Sequence, residues 1–267
     1  MTTDHKVGGS TPSGRGCFKK YYPEDKKIRN FISGDIERFG LSQTACLIVL
    51  LYPVLLLLNS FYWMIINYKP FYVQLITKEH YPVESITFIT ILASIFVGIK
   101  LVRLMYKRAV EGYKTVFISL VVIGLIFVGL EEISWGQWFF YFNSPDYFRD
   151  TNLQRETNIH NLRDLHVIFE YIRVIIGAGG LISIFLNRTS AFKYISSPSI
   201  LIVSFLVITV FSAIDVYNFY LPDQRLLFRV GGFYWFLKFN MEIVELMIAI
   251  SAFVFLFSNL ERLRRDA

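Results

Sequence analysis

The residues of this chain with the most chemical potential are carboxylates and imidazoles set in lipid-like surroundings. Glu131 and Glu132 stand side by side inside a long apolar run and interrupt it, in the stretch GLEEISWGQWFFYFNSPDYFRDTNLQRETNIHNLRDLH from Gly129 to His166. Trp135, Gln137 and Trp138 follow closely, and a polar connection carries Asn158, His160 and Asn161 before His166 opens the next apolar run. An acid in mid-span costs roughly 3 kcal/mol on insertion scales, so an adjacent pair calls for a compensating partner. Ionisable groups recur in the later apolar runs: Glu170 with Arg173, Asp215 with Asn218, then Lys238, Glu242 and Glu245. His166 and Glu170 are spaced i, i+4 and share a helix face, which Arg173 continues. Glu242 and Glu245 are spaced i, i+3, with Lys238 one turn above.

The acids Glu131, Glu132, Glu170, Asp215, Glu242 and Glu245 outnumber the bases Arg173 and Lys238. Protonation, a bound cation or water in an open cavity can relieve that excess. Imidazole with carboxylate is ordinary ligand chemistry for Zn, Fe or Mn, so Glu131, His160, His166, Glu242 and Glu245 are the expected ligands of a divalent metal. Di-iron bundles use Glu-x-x-His, whereas this chain has His-x-x-x-Glu and Glu-x-x-Glu. A three-histidine zinc site would have to recruit His80. The expected ligands together with Glu132 form the expected catalytic set, with Trp135, Gln137, Asn161, Glu170, Arg173, Asp215 and Lys238 in support. Structural roles compete with functional ones. His160 can bridge the loop, Glu170–Arg173 and Lys238–Glu242 can be ion pairs, and Asp215 can hydrogen-bond a neighbouring helix. The sequence leaves open which of Glu131 and Glu132 faces inward.

The positioning elements are apolar helices. Of the 267 residues, 54% are hydrophobic and 17% aromatic, and the mean hydropathy is +0.45. Soluble domains are about 45–50% apolar, and here the excess is gathered in long blocks, the signature of membrane spans. Six spans are expected, at about 44–66 (with Pro53 inside), 86–106, 115–142, 165–187, 199–221 and 233–258. Gly177, Gly179 and Gly180 are expected to permit close helix contact in the fourth. Residues 1–43 read as a basic tail ending in an amphipathic segment near 28–41, set either on the membrane surface or on the protein's own loops. Residues 44–258 read as the transmembrane domain and 259–267 as a short basic C-terminus.

Lys and Arg concentrate in the N-terminal tail, the 107–114 and 188–193 connections and the C-terminus, which places both termini in the cytoplasm and the 143–164 connection outside. The same distribution accounts for the net charge of +6 without nucleic acid. By this topology the ionisable groups fall in the outer half of the bilayer. The first 40 residues lack the apolar core, about 7–15 residues long, of a cleavable signal. The two cysteines, Cys17 and Cys46, make no disulfide framework.

The string Glu131-Glu132-Ile133-Ser134-Trp135-Gly136-Gln137, followed by Asn158-Ile159-His160-Asn161, resembles a group of bacterial multi-span membrane proteins whose function is not established. The likeness covers about 129–166, with a weaker echo at the acidic start of the sixth span. It implies a bacterial inner membrane and no particular reaction. Alkaline-ceramidase-like hydrolases are similar in carrying His and acidic residues on helices, but their histidine motifs are not matched. Three functions follow as expectations: an intramembrane enzyme acting on a lipid or polyprenyl-type substrate, a proton- or cation-coupled transporter, and a non-catalytic membrane subunit or assembly factor.

Overall fold

Long apolar sequence must satisfy its backbone polar groups internally, and helices do so within one segment. The computed structural model describes residues 33–65, 82–220 and 240–266. It contains six helices long and apolar enough to cross a membrane. They are α1 (Gln43–Ile65), α2 (Pro82–Lys107), α3 (Gly112–Glu132), α4 (His166–Leu186), α5 (Ile202–Tyr220) and α6 (Met241–Arg265). No strand occurs among the described residues; Asn152 and Leu162 form an isolated antiparallel bridge. The chain is an all-helical integral membrane bundle.

α6 is the central helix. Two-thirds of its apolar window is buried (67%), against 17–33% for the other five. It packs along α2 and more lightly against α5 and α1, while α2 also packs on α3 and α4 on α5. The outward faces are apolar and open, for example Ile48, Leu55, Ile89, Leu120, Ile175 and Phe185. On a membrane protein such faces are the lipid contact.

Small residues set the α4–α5 distance. A Cβ on Gly177 would run into Thr209 and Ile208, and one on Gly180 into the Phe205 ring. Gly179 has open space where its side chain would be, so only two of the three expected glycines serve the contact.

Two expected boundaries move. The third span does not continue to 142. α3 ends at Glu132, and Ser134, Trp135 and Gly136 all take left-handed backbone angles (φ 47°, 55° and 94°), which no helix can absorb. A single turn over Gln137–Phe140 and a short helix, Asp146–Thr151, follow. The sixth helix begins at Met241, behind an N-cap at Asn240, and runs to Arg265 rather than 258. Glu242 therefore lies in its first turn, not deep inside it. Residues 221–239, with Lys238, lie outside the described residues, as do His80, Cys17 and residues 28–32 of the amphipathic segment.

The described part of that segment packs on the protein itself. Residues 33–39 are helical, with Asp35 and Phe39 fully buried. The Ile200 backbone N–H donates to Asp35 Oδ2 at 2.8 Å. This fastens the segment to the end of the bundle that holds the C-terminus. Arg108 reaches the Leu263 carbonyl there, a favourable place for a cation at a helix C-terminus.

Candidate functional site

The connection between α3 and α4 closes one end of the bundle as an ordered cap, and Glu131 is its clip. Glu131 Oε1 accepts from Trp135 Nε1 at 2.5 Å. Glu131 Oε2 accepts from the Ile159 and His160 backbone N–H groups at 2.7 and 2.8 Å, and lies 3.1 Å from His160 Nδ1. A buried carboxylate needs such donors, and the left-handed turn after Glu132 folds Trp135 back to supply one. Glu131 and Trp135, four residues apart, thus meet across a break in the helix and not along one continuous helical face. The imidazole of His160 packs edge-on against Phe169 of α4 at 6.1 Å.

A second polar knot sits beside the clip. Ser134 Oγ donates to the buried Glu156 carboxylate, and Asn158 Nδ2 donates to Glu156 Oε2 at 3.1 Å. Asn152 Nδ2 donates to the Asn158 carbonyl and side chain at 2.8 and 2.7 Å. Gln137 Oε1 accepts from the Thr157 N–H at 3.0 Å, and its Nε2 donates to Ser144 Oγ at 3.0 Å. Asn161 Nδ2 donates to Gln154 Oε1. Gln137 and Asn161 therefore hold the cap together.

Below the cap, ionisable side chains from five helices meet. Arg173 of α4 bridges Glu170 of its own helix and Glu245 of α6. Glu132 has Glu245, Glu242, Glu84 and Arg173 as electrostatic neighbours, and Glu242 has Glu245, Glu84 and Arg173. Glu132, not Glu131, is therefore the inward-facing member of the pair. His166 Nε2 lies 4.0 Å from Glu170 Oε1. One donor atom each from His166, Glu170 and Asp215 lie within 4.8 Å of one another. Asp215 arrives from α5 by the helix register already described: Glu170 lies about two turns from Gly177 and Asp215 about two turns from Ile208, each on the same face as the residue that makes the contact.

The expected ligand set is thus divided among three adjoining networks. Glu131 and His160 serve the cap, Glu242 and Glu245 gather around Glu132 and Arg173, and His166 stands with Glu170 and Asp215. The last three residues include two that the sequence reading held only as support. Sequence reasoning missed Glu84, in the first turn of α2, although it is an acid at the same end of a span as the others. It also missed Glu156, whose burial is set by the cap's folding and leaves no periodic signal. Lys238 lies outside the described residues.

Compared with protein-family models, with curated proteins and with solved structures, the chain matches none of them. Fold and site together define the class: an integral membrane protein with six helices of membrane-spanning length among the described residues and a polar acidic and histidine group at one end of the bundle.

Proposed function

We propose that the protein is an intramembrane enzyme that hydrolyses a lipid-type substrate entering from the outer leaflet. The observation that carries this reading is the meeting of Glu84, Glu132, Arg173, Glu242 and Glu245, from four helices, in one neighbourhood, with Glu132 buried and the others half-buried. Pure packing does not require so many costly groups at one place. The outward face of α4 beside it is apolar and exposed, with Ile168, Tyr171 and Ile172, and Trp135 is half-exposed at the cap. A substrate with an acyl or polyprenyl tail suits such a lipid-facing surface.

Glu132 and Glu242 are assigned proton transfer. One takes a proton from the attacking water as the new bond to carbon or phosphorus forms, and the other returns a proton to the leaving oxygen as its bond breaks. Arg173 holds Glu245 and Glu170 in register and is a positioning residue. A divalent cation (Zn, Fe or Mn) would balance the acidic excess and polarise the scissile group. By this reading the cap faces outward, both termini are cytoplasmic and the membrane is the bacterial inner membrane.

The test is conversion of membrane lipid extracts and polyprenyl phosphates by protein in nanodiscs, followed by mass spectrometry. Wild type is expected to consume one lipid class, and Glu132→Gln or Glu242→Gln to lose at least 100-fold in rate, the scale of general acid–base catalysis at about 10²–10⁴. Wild type that converts nothing, or variants that keep their rate, would end this reading.

The fully engaged Glu131 favours a competing reading, in which the cluster is a structural network of a non-catalytic subunit. That reading accounts well for the cap but not for Glu170, whose Oε2 is buried without a hydrogen bond. A coupled transporter needs a polar route through the bundle. Deeper buried hydroxyls do exist: Ser204 Oγ donates to Tyr52 OH at 2.9 Å, and Tyr52 OH lies 3.4 Å from Ser251 Oγ. Ser204 is nevertheless separated along α5 from Ser212, below Asp215, by about 12 Å of helix rise, too far for one proton hop. Proton flux in sealed vesicles decides between transport and hydrolysis.

A further inference from the structure

We infer that His166, Glu170 and Asp215 form a binding site for one divalent transition-metal ion. This deepens the reading above, because it gives the balancing cation a location apart from Glu132 and Glu242. It rests on that reading only for what the ion would do in catalysis. The binding itself stands on three observations.

The first is donor chemistry. One imidazole and two carboxylates approach within 4.8 Å of one another, so side-chain movements of about 1 Å toward a shared ion bring all three to ordinary ligand distances of about 2.0–2.2 Å. Three protein ligands with the remaining positions open is the pattern of a reactive metal rather than a structural one.

The second is an unsatisfied ligand atom. Glu170 is only 2% exposed. Its Oε1 is held by Arg173, while its Oε2 has no hydrogen-bond partner. A buried carboxylate oxygen left bare is costly, and a cation between Glu170, His166 and Asp215 would satisfy it. Arg173 then fixes the ligating carboxylate from behind, as outer-shell partners of metal ligands do. The buried His166 Nδ1 likewise has no partner.

The third is positional. The glycine contacts that draw α4 against α5 bring Asp215 level with Glu170. Neither helix holds the site alone, and a shift of one turn would separate the donors.

Imidazole with two carboxylates suits Mn, Fe or Zn and discriminates against Ca and Mg, which prefer all-oxygen shells. The experiment uses full-length protein in nanodiscs, stripped with chelator and reloaded with Mn²⁺ or Zn²⁺. Plasma mass spectrometry should find one ion per chain in wild type. Asp215→Asn and His166→Ala should each lower occupancy at least tenfold. The Mn²⁺ form of wild type should show pulsed-EPR modulation from a single imidazole nitrogen, a readout that needs no variant to fold. Wild type without stoichiometric metal, occupancy unchanged in both variants, or bound Mn²⁺ without a nitrogen coupling would overturn the inference. Because the readout is binding, a metal-loaded protein that converts no lipid would sink the hydrolase reading alone, and an active protein that takes up no stoichiometric ion on reloading would sink this one alone.

Discussion

At the residue scale, adjacent glutamates have opposite tasks. Glu131 accepts from three donors at 2.5–2.8 Å and adjoins His160. Glu132 turns toward Arg173 and the acids of α6. Glu131→Gln replaces an acceptor-only group with one whose NH2 faces N–H donors. It is expected to lower stability by about 1.5–3 kcal/mol, the worth of hydrogen bonds to a charged group, measured by thermal unfolding in detergent. Glu132→Gln, which removes a carboxyl crowded by other carboxyls, is expected to keep or raise the midpoint while lowering turnover at least about 100-fold. Arg173→Ala leaves Glu170 and Glu245 without their shared cation, and a broken buried pair costs about 3–5 kcal/mol. If Arg173→Ala unfolds at the wild-type midpoint, the bridge contributes little.

At the scale of elements, the α4–α5 contact is the hinge of the argument. Gly180→Val presses on Phe205 and is expected to cost about 1–3 kcal/mol, as overpacking does. Gly179→Ala, in open space, should change nothing. Gly177→Leu should also release metal, since the register that aligns Asp215 with Glu170 would slip. Metal retained in that variant would detach the site from the register.

The opposite end of the bundle titrates in two senses. Burial raises the Asp266 carboxyl, but hydrogen bonds from Lys193 and Tyr194 outweigh it and hold the group below its ordinary range. Its contribution to stability is present above the unfolded value of about 4 and is lost as pH falls through the folded value. Asp266→Asn should therefore lower the midpoint at pH 7 and lose its effect once the pH has fallen below the folded value. Burial pushes Asp35 up despite its hydrogen bonds from Ser199 and Ile200. Here the folded state prefers the neutral acid, and stability falls as pH rises through the interval between the two values. Asp35→Asn should thus be no less stable than wild type at pH 7, whereas Asp35→Ala loses the cap on Ser199–Leu201, worth about 1 kcal/mol.

At the scale of the whole molecule, residues 36–40 meet Arg265 at one end of the bundle, and the 133–165 cap lies at the other. Single cysteines at Tyr147, which is exposed on the cap, and at Arg264, which is half-exposed on α6, in a Cys17→Ser, Cys46→Ser background should label from opposite faces. An impermeant reagent added to intact cells should reach Tyr147→Cys only. Labelling of Arg264→Cys instead would reverse the topology and place the site toward the cytoplasm.

The sequence by itself determined the class of molecule. Apolar blocks of span length have only helices available in lipid, and their number and order follow from composition alone. It also determined where cost accumulates, because an acid in such a block stands out without any coordinates. His166 and Glu170 were legible as a pair for the same reason, since four residues make one helical turn. Tertiary structure alone decided the partners. The left-handed turn at Ser134–Gly136 sends Glu131 into the cap and Glu132 into the bundle. The close approach at Gly177 and Gly180 brings Asp215 to Glu170. The central place of α6 gives Arg173 its second carboxylate. Periodicity records which residues share a face of one helix, whereas contacts between helices depend on register and crossing, which the chain encodes only through packing.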